Sequence, residues 1–502
     1  MTTTPAGTKD HGPVIWAVYR DVQTADPIFA FDYPDNTAVT LMCESLVNLS
    51  PDGKLGPGLA TLSRTDPTTI VLDVNPKATF WDGKPVTADD VVYSLNRNTD
   101  KKLGGFYGAT LSRVTSITAT TPSQVTLKLS KPDYWLDGEL ASMTGVVIEK
   151  AFAEKAGAKY GTPSGGVMCT GAYTFGSWNS ADGLVAKANP SYWKGTKPKV
   201  SQITLKGSPD EAALTSSLVT GAIGGSYLPA ISTLKQLQAN SAVQVFEGPG
   251  YATDAFIVSN LKGTLGDVKV RQALSLALDR QGIIDTVYQG AAALPRWFSN
   301  AGTFGYATST FDAAYAKNPE MTPNLDKAKA LIKEAGAEGK SVTIGMSSAL
   351  KNISAVAGAY QAAREKLGLK VTLKSVSAEN YINFFIDPKA REGVDGFLTI
   401  NYGDYADPAS LLATIVLPDG SQNYDGFADP AITDALETAR GTADETERAK
   451  LVITALEKIN EQLPWIPNVQ PSSVLVMNKD LSGATASFSY MFAPWANDLG
   501  GR

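Results

Sequence analysis

A chain of 502 residues, 43% hydrophobic and 19% charged, is too long for one hydrophobic core and too evenly mixed to stay unfolded, so two or three lobes are expected. A net charge of -6 without a concentrated basic stripe argues against nucleic acid as a partner. No run of about 18 apolar residues occurs, which excludes a membrane-spanning helix, and no short repeat stands out.

In chain order, residues 1–12 are small and polar with Pro and Gly, the composition of a disordered tether, and lack the apolar centre of a signal peptide. Residues 15–19 read as a first strand. Asp52-Gly53 is a turn pair that closes a hairpin between Leu49 and Leu55, and residues 70–74 and 124–129 continue a β-rich region. The glycines of residues 221–225 are those of a phosphate-cradling turn, but the Lys-Ser/Thr end is missing and the segment reads as a loop. From about Val270 the rhythm changes to a helix over 325–335, a strand over 341–345, a helix over 353–367 and a strand over 370–373. That alternation predicts a mixed, mostly parallel sheet covered by helices. Two stretches, 251–261 and 463–467, have the strand-like character of crossings between lobes.

Three segments carry more than secondary structure. The run Phe80-Trp81-Asp82-Gly83-Lys84-Pro85-Val86-Thr87-Ala88-Asp89-Asp90-Val91-Val92-Tyr93-Ser94-Leu95 reads as a turn at Asp82-Gly83, then a helix. Thr87 is its N-cap, Asp89 and Asp90 favour its positive end, and Ala88, Val91, Val92 and Leu95 share one face. Val270-Arg271-Gln272-Ala273-Leu274-Ser275-Leu276-Ala277-Leu278-Asp279-Arg280 places Val270, Leu274, Ala277 and Leu278 in an apolar stripe and leaves Arg271 and Arg280 for solvent or an ion pair. Between them lies Asn189-Pro190-Ser191-Tyr192-Trp193-Lys194-Gly195.

In that order the three segments resemble the extracytoplasmic solute-binding proteins, family 5, which serve bacterial ABC importers of peptides, nickel and opines. The resemblance implies an α/β, two-lobe periplasmic-binding-protein-like fold of type II, in its large cluster C form, with an additional inserted β-rich subdomain. Residues 1–48, 166–255 and 470–502 would form lobe I, 49–165 the inserted subdomain, and 256–469 lobe II, with the ligand enclosed between lobes. It also implies a peptide or small-molecule ligand, importer permease subunits as partners, no cofactor, a monomer, and an extracytoplasmic location. An export signal ending in a lipid-modified cysteine upstream of these residues would supply a membrane anchor.

Asn401-Tyr402-Gly403-Asp404-Tyr405-Ala406-Asp407-Pro408 sets acids among aromatic rings just after the apolar run 396–400. A buried carboxylate needs a cationic partner, and a ligand's ammonium could supply it. The residues alone equally allow a strand that ends in an Asp-Pro turn with its rings in the core. By resemblance, Asp404 pairs with the α-ammonium of a peptide, and Asp407 is a turn former. Tyr402 and Tyr405 would wall the pocket, with Trp297, Tyr251 and Tyr173 as further candidates, each of which also reads as core. A non-peptide solute, whether opine-like, an amino-acid conjugate or a metal-chelator complex, is the alternative ligand.

Enzyme chemistry finds little support. The single histidine, His11, falls in the tether-like segment, which removes Ser-His-Asp, Cys-His and His-metal arrangements, and no HExxH, CxxC or P-loop sequence occurs. Asp404 and Asp407 could pair as in a glycosidase, but among 50 acidic residues such spacing says little. Direct nickel or haem uptake is weakened by the same lack of histidine, so no metal site is expected. Cys43, in the helix-like run 37–47, and Cys169, before Thr170-Gly171-Ala172-Tyr173, are compatible with one bridge in an oxidising compartment or with two separately buried thiols.

Overall fold

The computed structural model describes residues 1–227, 231–348 and 350–502. Two large sheets organise it. The first has seven strands, in spatial order Val243–Gly248, Ser473–Asn478, Gly225–Ser226, Val14–Val18, Gln202–Gly207, Gly183–Ala188 and Tyr173–Asn179. The second has six, in the order Ala292–Ala293, Trp465–Pro471, Ala252–Val258, Gly396–Tyr402, Ser341–Met346 and Lys370–Ser375. A separate four-stranded antiparallel sheet of Ala60–Asp66, Thr69–Val74, Gln124–Leu129 and Val114–Thr121 belongs to the inserted β-rich part.

Local chemistry explains many of these elements. Leu49 pairs with Leu55 across the Asp52-Gly53 turn, where Gly53 has φ +82°, a value that favours glycine. The helix Ala88–Thr99 opens on a full capping box, with Asp90 N–H donating to Thr87 Oγ1 (3.3 Å) and Thr87 N–H donating to Asp90 Oδ2 (3.0 Å). Val91 and Leu95 on its inner face are fully buried, each contributing about 1.5–3 kcal/mol.

The chain passes between the two large sheets twice, side by side. Strand Val243–Gly248 leads through residues 249–251 into Ala252–Val258, and Trp465–Pro471 returns through Ser472 into Ser473–Asn478. The partners match on both sides: Gly248 faces Ser473 in one sheet, and Asp254 faces Val469 in the other. Gly250 is required here, because a β-carbon would collide with the carbonyl of Pro471.

Four expectations change. The six-stranded sheet is mixed but has more antiparallel than parallel pairings, since the two crossing strands run in opposite directions as they leave and return. Residues 1–11 are not a loose tether: Thr3 bridges Thr485, Lys9 bridges Gly501 and His11 bridges Val200, while Thr4 Oγ1 donates to the Ala484 carbonyl. Arg271 and Arg280 are 3% and 0% exposed, and neither forms an ion pair among the described residues. Their guanidinium groups donate instead to backbone carbonyls, Arg271 to Leu265 and Gln462 and Arg280 to Ser275 and Pro467, which satisfies their donors without solvent. Finally, the helix Tyr33–Met42 stops before Cys43, which caps it and is bonded to Cys169.

Candidate functional site

The strand Gly396–Tyr402 carries the chain out of the six-stranded sheet into residues 403–407, where Tyr405 meets Gly138. Asp407 then starts the helix Pro408–Val416: its Oδ1 accepts from Ala409 N–H at 2.8 Å, with Pro at the first helical position. Its carboxyl is pushed up to about 6 by burial, and the capping hydrogen bond opposes that shift. Asp407 is therefore a helix cap.

Asp404 differs. Partly buried, its carboxylate has no hydrogen bond or ion pair among the described residues, and loss of water alone pushes it up to about 7. Tyr402 beside it spans the gap. Its ring lies 5.2 Å from Tyr33 and 5.1 Å from Phe488, and its hydroxyl donates to the Phe31 carbonyl at 2.8 Å. Tyr251 joins the same cluster, 5.4 Å from Phe488, with its buried hydroxyl unpartnered. Tyr405 is buried against the inserted part, where a β-carbon on Gly138 would collide with its ring, and its hydroxyl also lacks a partner.

The remaining two rings stand apart. Trp297 is fully buried and packs on Tyr315 (5.5 Å) and Phe304 (6.1 Å). Tyr173 is fully buried at the start of the strand Tyr173–Asn179, in register with Ala188, and among the described residues neither ring stacks on the Tyr402 cluster.

Several side chains that sequence reasoning did not single out lie around Tyr402 or interact with Asp404. Tyr33 and Phe488 frame Tyr402. Tyr107 donates to the Ala30 carbonyl at 2.7 Å, and its own ionisation is disfavoured by burial and then by Asp404. Glu139, from the inserted part, has a buried Oε2 without a partner, and its carboxyl is raised well above its usual range by burial and then by the charge of Asp404. Nearby, residues 113–134 meet residues 437–440 through Arg440 and Asp133 (2.6 Å), Arg113 and Glu437, and Tyr134 N–H donating to the Arg440 carbonyl (2.8 Å). One apolar cluster runs from Trp16 and Tyr107 into Tyr405, Leu412 and Leu456, so the two sides share packing. Among the described residues no group of His, Cys, Asp and Glu is placed to hold a metal ion, and no helix is long and apolar enough to cross a membrane.

The arrangement sets one unpartnered carboxylate beside a cluster of aromatic rings. Comparison with known proteins identifies the family. The oligopeptide-binding protein OppA of Escherichia coli is 25% identical over 474 residues, covering 89% of this chain and 85% of OppA. DppA from Helicobacter pylori, solved with the peptide STSA, superposes with a TM-score of 0.83 at 21% identity, covering 98% of each chain. AgaA from A. tumefacien R10, solved with agropinic acid, reaches 0.81 at 22% identity, again over 98% of each. Residues 54–423 match the family described as bacterial extracellular solute-binding proteins, family 5 Middle, and the chain belongs to that family of two-lobed binding proteins.

Proposed function

We propose that this protein captures a peptide with a free amino terminus between its lobes and hands it to the permease of an ABC importer. The observation that carries this reading is Asp404, a partly buried carboxylate for which the described residues supply no cation or hydrogen-bond donor. An α-ammonium would neutralise it, and removing one partner of such a desolvated pair costs about 3–5 kcal/mol. Tyr402, Tyr251, Tyr33 and Phe488 would wall the peptide, and main-chain hydrogen bonds would supply sequence-tolerant affinity. Trp297 and Tyr173 serve the packing of their lobes in this reading.

We place the hinge at residues 249–251 and 472, where the two crossings run side by side, so lobe II spans the stretch between them. The protein acts as a monomer outside the cytoplasm, held near the membrane by a lipid anchor, and performs no chemistry on its ligand. OppA is named for oligopeptides and carries the support from relatives, while peptide-bound and agropinic-acid-bound chains share the fold.

Native mass spectrometry of protein purified without denaturation, followed by calorimetry with the recovered solute, tests the proposal. A recovered peptide whose binding is abolished by N-acetylation, with a smaller radius of gyration on saturation, is the expected result. A recovered solute without a primary amine would overturn it, and a hydrolysed one would restore an enzymatic reading.

A further inference from the structure

Glu139 ends the short helix Leu136–Glu139, and the residue before it, Gly138, lies against the ring of Tyr405 closely enough to exclude a β-carbon. Residues 138–139 of the inserted part therefore abut residues 404–405 of the other lobe. Two carboxyl groups, one from each side, flank this contact.

The charges around them are already committed. Asp133 pairs with Arg440 at 2.6 Å, Asp137 with Arg64, and Asp407 caps a helix. Arg113 is held by Glu437, while Arg448 donates to the Thr442 carbonyl and lies over the ring of Tyr306. No arginine or lysine forms an ion pair with Glu139 or Asp404 among the described residues. Glu139 Oε2 is shut off from solvent without a donor, and the hydroxyl of Tyr405, a residue only 4% exposed, is also unpartnered. Two buried polar atoms without partners, Glu139 Oε2 and the Tyr405 hydroxyl, thus lie at the same contact as the partly buried, unpartnered Asp404 carboxylate, a combination that a cationic ligand would satisfy.

We infer that Glu139 is a second carboxyl of the Asp404 pocket, and that the preferred solute carries a second positive group beside its α-ammonium, as a peptide with a lysine-like first residue does. This inference rests on the reading of Asp404 given above. Burial raises both carboxyls, and the charge of Asp404 raises Glu139 further, so ionising both together is disfavoured. One positive charge relieves one of them, and a second relieves the other. An ammonium also donates three hydrogen bonds, enough to reach both Glu139 and the Tyr405 hydroxyl.

Calorimetry near pH 7 with two short peptides that differ only at the first residue, lysine or norleucine, tests this. Wild type should bind the lysine peptide at least about tenfold more tightly. In Glu139→Gln that preference should fall to near parity, with the norleucine peptide little changed and N-acetylation still costly. Equal affinities in wild type, or a preference that survives in Glu139→Gln, would overturn the role of Glu139. If acetylating the norleucine peptide costs nothing, the reading of Asp404 fails, and the lysine-to-norleucine ratio still reports on Glu139 alone.

Discussion

Two aspartates, one within a strand and one just beyond the end of the neighbouring strand, lead different lives. Asp254, on Ala252–Val258, is 3% exposed, and its oxygens accept from Tyr288 Oη at 2.6 Å and Asn468 Nδ2 at 2.9 Å. Tyr360 holds that asparagine in turn, donating to its Oδ1 at 2.7 Å. Asp404, beyond the end of the adjacent strand, has no such donors among the described residues. Burial raises both carboxyls, Asp254 to about 6 against two opposing hydrogen bonds and Asp404 to about 7 against none. Burial alone thus does not distinguish the two, whereas the presence of protein donors does.

The largest expected effect separates the two in binding. Asp404→Asn keeps the shape and removes the charge, so affinity for an amino-terminal peptide should drop by about 10²-fold or more, read by calorimetry. Asp254→Asn should leave affinity within about threefold, since no ligand meets it.

Stability should show the reverse order. Asp254→Ala strands Tyr288 and Asn468 in the core and should cost about 2 kcal/mol in chemical unfolding. Asp404→Asn should be neutral or stabilising, because it removes a partly buried carboxylate that the described residues leave unpartnered. A large loss of stability in Asp404→Asn would mean that its carboxylate is held by the protein after all.

Proton linkage sharpens the contrast further. Both carboxyls have folded pKa values above the usual 3.8, so the native state holds more protons than the unfolded chain between about pH 4 and pH 7. Stability of the ligand-free protein should therefore fall as pH rises through that window, and thermal melts of Asp404→Asn should show a shallower fall. Affinity for a cationic solute should move the opposite way, weakening as pH drops below about 7, because the ligand must displace a proton from Asp404.

The smallest effect concerns closure. Tyr402→Phe deletes the hydroxyl that reaches the Phe31 carbonyl across the gap. With the ring retained, affinity should fall by no more than about tenfold, the worth of one net hydrogen bond of roughly 0.5–1.5 kcal/mol. An effect as large as that of Asp404→Asn would shift the main recognition role from the carboxylate to the tyrosine.

Features set by near neighbours were readable from the chain, and those set by distant ones were not. The Asp52-Gly53 hairpin and the Thr87–Asp90 capping box depend on a few adjacent residues, and both formed where their chemistry placed them. Residues 1–11 read as a tether because the strand ends and carbonyls that hold them lie at residues 200 and 484–501. Arg271 and Arg280 read as surface charges because a carbonyl acceptor leaves no mark in residue identity. The same division runs through the candidate site. Asp404 and Tyr402 stood out within one segment, whereas Glu139, in the run Trp135-Leu136-Asp137-Gly138-Glu139, looks like any surface acid until the inserted part folds over the other lobe.

The link between Cys43 and Cys169 has a topological consequence. The chain between them, a separation of 126 positions, contains the whole four-stranded sheet, the capped helix and Glu139. It is a covalent ring hung from one point, and that point lies where the helix carrying Tyr33 ends. A protease that nicks the ring at the exposed Lys101 or Lys102 opens a circle without detaching a piece, so the severed chain stays one molecule until a reductant reaches the buried sulfurs.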